Sequence, residues 1–167
     1  HPIMAPDGKG ELTQFSPGHH RHQTGLDWGF TNVNGRDYFH PPEGDYWRRT
    51  SAEVLTAQGE TVKWRTVYDM LDAAGTPLLS ESQTWSMHVD HSGQAVLDLE
   101  WEGKASGADV KIAKADYGGL FLRMPWRKGV HAHVLNAARN RDQKAEGKRS
   151  MWLDLGMAID GRDDEAD

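Results

Sequence analysis

The segment Thr61–Met70, which reads TVKWRTVYDM, decides the fold class. Its large apolar and aromatic side chains recur at alternate positions, namely Val62, Trp64, Tyr68 and Met70. The positions between them are charged at Lys63, Arg65 and Asp69, with Val67 as the exception. Successive side chains of a β-strand point to opposite faces, so this period of two predicts a half-buried antiparallel strand rather than a helix.

The same alternation continues along the chain. It recurs in Glu81–Asp90, in Leu97–Glu102 and in Ser150–Met157, and the turn-forming interval 91–94 predicts a hairpin between the first two. Only Val134–Glu146 has helix-forming composition, and there a short helix and a long loop both fit. Strands at this spacing are typical of an all-β fold, and we expect an antiparallel β-sandwich.

Composition limits the domain organisation and the classes of function. The chain has 167 residues, a net charge of −6, seven Trp, nine His and no Cys. We expect one sandwich domain over residues 1–159 and an acidic, disordered tail over 160–167. The acidic balance disfavours nucleic acid, no apolar run is long enough for a membrane span, and the lack of Cys excludes thiolate catalysis. The N-terminal His suggests a processed or trimmed chain.

Histidines near the N-terminus are the first candidate catalytic groups. In an extended segment His20 and His22 point to one side and His19 to the other. Such a pair suits acid–base catalysis, substrate binding or metal ligation, although a polar, solvated loop is an equal alternative. Further metal ligands would come from the remaining imidazoles and carboxylates, with candidates at Asp27, Asp37, His40, His131 and His133.

Two further segments add candidate binding residues. Asn34-Gly35 predicts a type I′ turn, and Asn34 and Asp37 are candidates for the rim of the same pocket. In Tyr117–Trp126, the pair Gly118-Gly119 permits close backbone approach. Arg123 lies among apolar neighbours, so it is expected to be ion-paired or to belong to a site.

The seven Trp residues divide by their surroundings. Those on apolar strand faces are expected to be core residues, namely Trp64, Trp85 and Trp101. The others lie among mixed neighbours and are candidates for stacking on a sugar or for a protein interface, namely Trp28, Trp47, Trp126 and Trp152.

The N-terminal segment, together with YGGLFLRMP at Tyr117–Pro125 and EGKRSMWLDL at Glu146–Leu155, resembles the bacterial "methane oxygenase PmoA-like" family of unknown function. The N-terminal matches are Pro2, Pro6, Gly8, His19, His20, Arg21, Trp28, Val33, Asn34, Gly35, Asp37 and Phe39. The resemblance covers nearly the whole chain and implies that it is the central portion of a longer protein. It departs at Phe39-His40, where relatives end in Phe-Trp, and at Tyr117, where many carry Glu.

The resemblance implies a mutarotase-like super-sandwich and a carbohydrate ligand, in a bacterial protein of the cytoplasm, periplasm or exterior. The leading hypothesis is a carbohydrate-active domain that binds a sugar or oxidised sugar and catalyses proton transfer without a cofactor. Mutarotation, epimerisation and elimination or hydration are such reactions. Its catalytic residues would be His20, His22 and Arg123, and its substrate-binding residues His19, Trp28, Asn34, Asp37, Tyr117 and Trp126. The alternatives are a non-catalytic sugar-binding or interaction module and a metal-dependent enzyme that uses the histidines.

Overall fold

The structure, a computed structural model, describes residues 2–18, 20–41, 43–162 and the backbone of 165–166. Its regular elements are nine strands and one 3₁₀ turn within these ranges. The strands are β1 Leu26–Phe30, β2 Trp47–Thr56, β3 Thr61–Leu71, β4 Pro77–Val89, β5 Ala95–Ala105, β6 Gly118–Leu122, β7 Ala132–Asn136, β8 Leu153–Ala158 and β9 Glu165–Ala166. The 3₁₀ turn is Asp142–Lys144. The predicted all-β class with antiparallel sheets is confirmed, consistent with a sandwich-like fold.

The chain divides into two compact units. The central unit contains residues 28–121, and the terminal unit contains residues 1–27 together with 122–167. Strands β2-β3-β4-β5 form a four-stranded antiparallel sheet, β1 pairs with β6, and β7-β8-β9 form a three-stranded sheet. No helix among the described residues is long and apolar enough to cross a membrane.

The four-stranded sheet follows the sequence pattern strand by strand. Its pairing places Trp64 opposite Trp85 and Glu81 opposite Gly103. The predicted hairpin between β4 and β5 is confirmed, with Val89 opposite Ala95. One face of this sheet is polar because alternate residues are charged or hydroxylated. The other face carries Trp, Leu and Met side chains.

The core of the central unit lies at one end of that apolar face. Its buried members are Val33, Tyr38, Tyr46, Met70 and Leu79. The Tyr38 hydroxyl donates a 2.6 Å hydrogen bond to the Leu71 carbonyl, so the polar end of a buried aromatic residue is satisfied. Of the three Trp residues expected in the core, Trp85 is buried, whereas Trp64 and Trp101 are half-buried.

Two features differ from the sequence-based expectations or extend them. Val134–Glu146 contains no α-helix: it comprises part of β7, a turn and the short 3₁₀ segment. In the predicted tail, Asp160 accepts two 2.7 Å hydrogen bonds from Arg127, and Glu165–Ala166 pairs with β8. The division into a domain over 1–159 and a disordered tail remains a prediction, and residues 163, 164 and 167 lie outside the described ranges.

Candidate functional site

The residues predicted from sequence fall in both units. The terminal unit contains His20, His22, Arg123 and Trp126, and the central unit contains Trp28, Asn34, Asp37 and Tyr117. His19 lies outside the described residues.

The two histidines lie in a tight loop rather than in an extended segment. Ser16 N–H donates to the Gln23 carbonyl at 2.7 Å and closes this loop, and the Pro17 and His20 carbonyls accept further turn hydrogen bonds. The rings of His20 and His22 nevertheless lie close together, with centroids 5.8 Å apart in an edge-on arrangement. The predicted proximity of the pair is present, but a turn produces it.

Arg123 is anchored at the base of the same loop. Its N–H donates to the Gly25 carbonyl, and its own carbonyl accepts from Gln14 N–H, both at 2.7 Å. Its Nε donates to the Gln14 side-chain oxygen at 3.3 Å. Arg123 thus shares a hydrogen-bonded framework with the ends of the histidine loop, and its half-buried side chain contacts an amide. The catalytic roles of His20, His22 and Arg123 remain predictions, as does stacking by Trp126, which is 58% exposed.

The Asn34-Gly35 turn is confirmed. Both residues have positive φ, 51° and 82°, as a type I′ turn requires, and Val33 and Arg36 exchange two 3.0 Å backbone hydrogen bonds. Asn34 also accepts a 2.8 Å hydrogen bond from Lys111 N–H through its side-chain oxygen. Gly35 N–H donates to the side chain of Asn32 at 3.1 Å. These contacts give Asn34 a structural role, while its predicted role in substrate binding remains a prediction.

Two of the predicted substrate-binding residues, Asp37 and Tyr117, meet around His40. One oxygen of the Asp37 carboxylate accepts hydrogen bonds from Phe39 N–H and His40 N–H, at 2.8 and 2.9 Å. The other oxygen lies 3.6 Å from His40 Nδ1. The His40 ring lies edge-on to the Tyr117 ring, with centroids 5.8 Å apart. We call Asp37, His40 and Tyr117 the Asp37–His40–Tyr117 cluster.

The Asp37–His40–Tyr117 cluster packs on one side against the rest of the central unit and is exposed to solvent on the other. Phe39 packs against Phe121 with ring centroids 5.7 Å apart, and the Thr31 hydroxyl donates to the Tyr117 carbonyl at 2.6 Å. A Cβ on Gly118 would lie 3.2 Å from the Gly29 carbonyl, which confirms the predicted close backbone approach. Asp37 and His40 are more than one-third exposed and Tyr117 is 71% exposed, so all three are accessible to a ligand.

Sequence reasoning missed a second carboxylate, Glu81, which is 1% exposed on β4. Its oxygens accept hydrogen bonds from Gln83 Nε2 at 2.6 Å and from Trp101 Nε1 at 2.8 Å. Burial raises the pKa of Glu81, and these two hydrogen bonds oppose the shift. The available signal was the alternation of β4, which puts Glu81 on the same face as Trp85. We call Glu81, Gln83, Trp85 and Trp101 the Glu81 cluster.

Trp28 packs against the edge of the Glu81 cluster. Its ring centroid lies 5.8 Å from that of Trp101 and 5.6 Å from that of Phe30. Its indole Nε1 is buried and has no hydrogen-bond partner among the residues that the structure describes. Trp28 is therefore an aromatic packing residue here, and its stacking on a sugar remains a prediction.

A metal site would need three or more ligating side chains to converge. No such group of His, Asp or Glu residues occurs in the described part of the chain. His131 and His133, two of the suggested ligands, have ring centroids 6.2 Å apart. His1 and His19 lie outside the described ranges.

Comparison with known families gives one match. The model of DUF6807, a family of unknown function, covers residues 1–166. The chain belongs to DUF6807. This confirms the expectation that the chain belongs to a family of unknown function, whereas nothing in the match links it to the PmoA-like methane oxygenases named above. No curated protein and no solved structure matches this DUF6807 chain.

Proposed function

We propose that the protein is a carbohydrate-active domain that binds a sugar at the Asp37–His40–Tyr117 cluster and catalyses proton transfer there. The observation that carries the proposal is the position of a half-exposed imidazole, 3.6 Å from a fixed carboxylate and edge-on to a widely exposed tyrosine ring.

The Asp37–His40 pair has the elements of an acid–base unit. Two backbone N–H groups fix the Asp37 carboxylate, so its second oxygen faces Nδ1 of His40. A carboxylate there favours the proton on Nδ1, so Nε2 is the nitrogen that would accept a proton from a substrate. The 3.6 Å separation exceeds a hydrogen bond, and such contacts often tighten when substrate binds.

Tyr117 supplies the binding surface. A pyranose presents an apolar C–H face and a ring of hydroxyl groups, and an exposed aromatic ring packs against the apolar face. The Tyr117 backbone is held by Thr31 and by the close approach of Gly118 to Gly29, so the ring projects from a fixed position. A sugar on this ring would lie beside His40.

The reaction class follows from the residue types in this cluster. Imidazole, carboxylate and phenol exchange protons at neutral pH without a redox group. Mutarotation, epimerisation and elimination or hydration of an oxidised sugar each proceed by proton transfer to or from carbon or oxygen. The proposal therefore requires no cofactor in the catalysed step.

The proposal is tested with a panel of aldoses and uronic acids incubated with the protein in D₂O. Proton NMR then records both anomer exchange and deuterium incorporation at carbon. We expect at least one sugar to turn over, His40→Gln to slow turnover by about a hundredfold or more, and Asp37→Asn to slow it less. Tyr117→Ala is expected to weaken sugar binding, whereas Tyr117→Phe retains it because the aromatic face remains.

One control variant and two alternative outcomes make the result specific. His91→Gln removes an exposed histidine from the β4–β5 turn and should not change turnover. If the double variant His20→Gln with His22→Gln abolishes turnover while His40→Gln does not, catalysis belongs to the histidine loop and the proposal is wrong. Binding at Tyr117 without turnover of any sugar would instead assign a non-catalytic module.

A further inference from the structure

The terminal unit contains a pocket that none of the residues above forms. Its volume is about 440 Å³, and it lies between strands β7 and β8 and the turn that connects them. Its lining includes Trp152, which is half-exposed, and the polar residues Asp142, Glu146, Lys148 and Ser150. This volume lies within the range of small-molecule sites.

Hydrogen bonds hold the frame of this pocket. Asp142 accepts from Val134 N–H at 3.0 Å, and the Ser150 hydroxyl oxygen accepts from Ala137 N–H at 3.0 Å. The buried Asn136 side-chain oxygen accepts from Ala138 and Asn140 N–H, at 3.1 and 3.0 Å. These bonds fix the turn to β7 and to the residues that follow it, so Asp142 and Ser150 are held in place.

The backbone of this turn is strained. Arg139 and Asp142 have positive φ, 62° and 49°, in the left-handed region that costs a non-glycine residue roughly 1 kcal/mol. Such outliers persist where the surrounding structure fixes them, and they are frequent in ligand-binding segments. The strain is consistent with a binding role and is not the basis for one.

The segment 139–149, which forms much of the turn beside the pocket, has a charge opposite in sign to that of the whole chain, and its Lys148 lines the pocket. Residues 139–149 contain five cations, Arg139, Arg141, Lys144, Lys148 and Arg149, and two anions, Asp142 and Glu146, so their net charge is 5 − 2 = +3. The chain as a whole has a charge of −6. All five cations are exposed.

These five cations also differ in their ion pairing from two arginines of the same unit, Arg127 and Arg162. Arg127 pairs with Asp160 through two 2.7 Å hydrogen bonds, and Arg162 pairs with Asp7 at 2.9 Å. Within the described residues, none of the five forms an ion pair. Their charge is therefore available to an external anion.

We propose that this pocket binds an acidic saccharide, a sugar that carries a carboxylate. The Trp152 ring packs against the apolar face of the sugar, and Asp142, Glu146 and Ser150 form hydrogen bonds with its hydroxyl groups. Lys148, which lines the pocket, binds its carboxylate, and the other exposed cations of residues 139–149 add to the positive potential around it. This site is separate from the Asp37–His40–Tyr117 cluster and does not depend on its function.

Nucleic acid is the main competing ligand because it also pairs with exposed aromatic and basic side chains. Among the described residues, the lining of the pocket includes one cation, Lys148, whereas a chain of phosphates requires a row of basic contacts. A volume of about 440 Å³ also favours a compact ring over an extended strand.

The test is a calorimetric titration of the protein with digalacturonate, and with neutral galactobiose of the same linkage. Proton NMR of the indole N–H signals then locates the binding site. The signal that is missing in Trp152→Phe is assigned to Trp152. We expect digalacturonate to bind about tenfold or more tightly than galactobiose and to shift the Trp152 signal. Its affinity should fall at about 0.5 M NaCl because salt screens the charges. A sulfated disaccharide is the second anionic ligand of the titration, and we expect it to bind less tightly than digalacturonate.

Matched variants locate the site. Trp152→Ala and Lys148→Glu should each weaken digalacturonate binding about tenfold or more. Met151→Ala, at a neighbouring residue that is 97% exposed, and Lys104→Glu, with the same change of charge in the other unit, should leave it unchanged. Because these side chains are exposed, circular dichroism should show an unchanged fold for all four variants.

Three results would overturn the inference. They are equal affinity for galactobiose, tighter binding of an oligothymidylate than of digalacturonate, and full binding by both Trp152→Ala and Lys148→Glu. Tyr117→Ala separates the two proposals. If it abolishes digalacturonate binding while Trp152→Ala does not, the ligand binds at the central cluster and this pocket is not its site.

Discussion

The Glu81 cluster and the pocket that Trp152 lines beside β7 and β8 contain the same kinds of side chain but differ in burial. In the first, a carboxyl that is 1% exposed accepts the N–H groups of an indole and an amide. In the second, a 51%-exposed indole lies beside charged groups that face solvent. Polar groups satisfied by one another inside a sheet contribute to stability and specificity, whereas accessible ones are available to a ligand. Composition alone does not separate the two cases.

The largest effect expected from this difference is on the free energy of unfolding. Glu81→Ala removes the acceptor of two part-buried N–H donors and leaves a cavity, so we expect a loss of about 3 kcal/mol. Trp152→Ala, the matched change in the open pocket, should stay within about 0.5 kcal/mol of the parent protein. Urea denaturation measures both. Equal losses for the two variants would contradict the distinction.

A smaller effect is expected where the sheet accommodates Trp101. A Cβ on Gly103 would overlap the six-membered ring of Trp101, which donates to Glu81. Gly103→Ala should therefore displace the indole and cost about 2 kcal/mol by overpacking. Gly107→Ala is the control, because no atom lies within 4 Å of its added Cβ. Thermal unfolding compares the two variants, and an unchanged Gly103→Ala midpoint would show that the indole is not confined there.

The smallest effect is on the dependence of stability on pH. Burial raises the pKa of Glu81 above its ordinary value of 4.5, so the folded state binds more protons than the unfolded state between the two values. The stabilisation from its protonated form is complete below pH 4.5 and is lost as pH rises through the raised pKa. Glu81→Gln should remove this loss. Urea midpoints of the parent protein and of Glu81→Gln at several pH values measure this loss. Parallel pH profiles for the two proteins would be inconsistent with a buried ionisable carboxyl at Glu81.

The sequence predicted local structure well where alternation and turn chemistry coincide. The period of two predicted β3 in Thr61–Met70 and β4 in Glu81–Asp90. Residues 91–94 predicted the hairpin that joins β4 to β5. The Asn34-Gly35 pair was enough for its turn. These features depend on neighbouring residues, whose preferences can be read without knowledge of the rest of the chain.

Contacts between distant segments were beyond the sequence patterns. The pairing of β1 with β6 joins residues about ninety positions apart, and it is this pairing that brings Tyr117 close to His40. The common side of His20 and His22 was predicted for an extended segment, although Pro17-Gly18 is itself a turn signal, and the backbone hydrogen bonds form a loop there. Segment 134–146 has helix-forming residues, but Val134–Asn136 pairs with β8, so tertiary pairing overrides propensity.

The hydrogen bonds of the Asn34-Gly35 turn have a consequence for chemical ageing. An asparagine followed by glycine is prone to deamidation, in which the glycine nitrogen attacks the asparagine side-chain carbonyl. Here that nitrogen donates to Asn32, and the carbonyl oxygen accepts from Lys111 N–H. Both reacting groups are engaged while the protein is folded, so deamidation at Asn34 is suppressed in the native state and resumes in molecules that have unfolded. The isoaspartate content at this turn would therefore record how long a sample has spent unfolded.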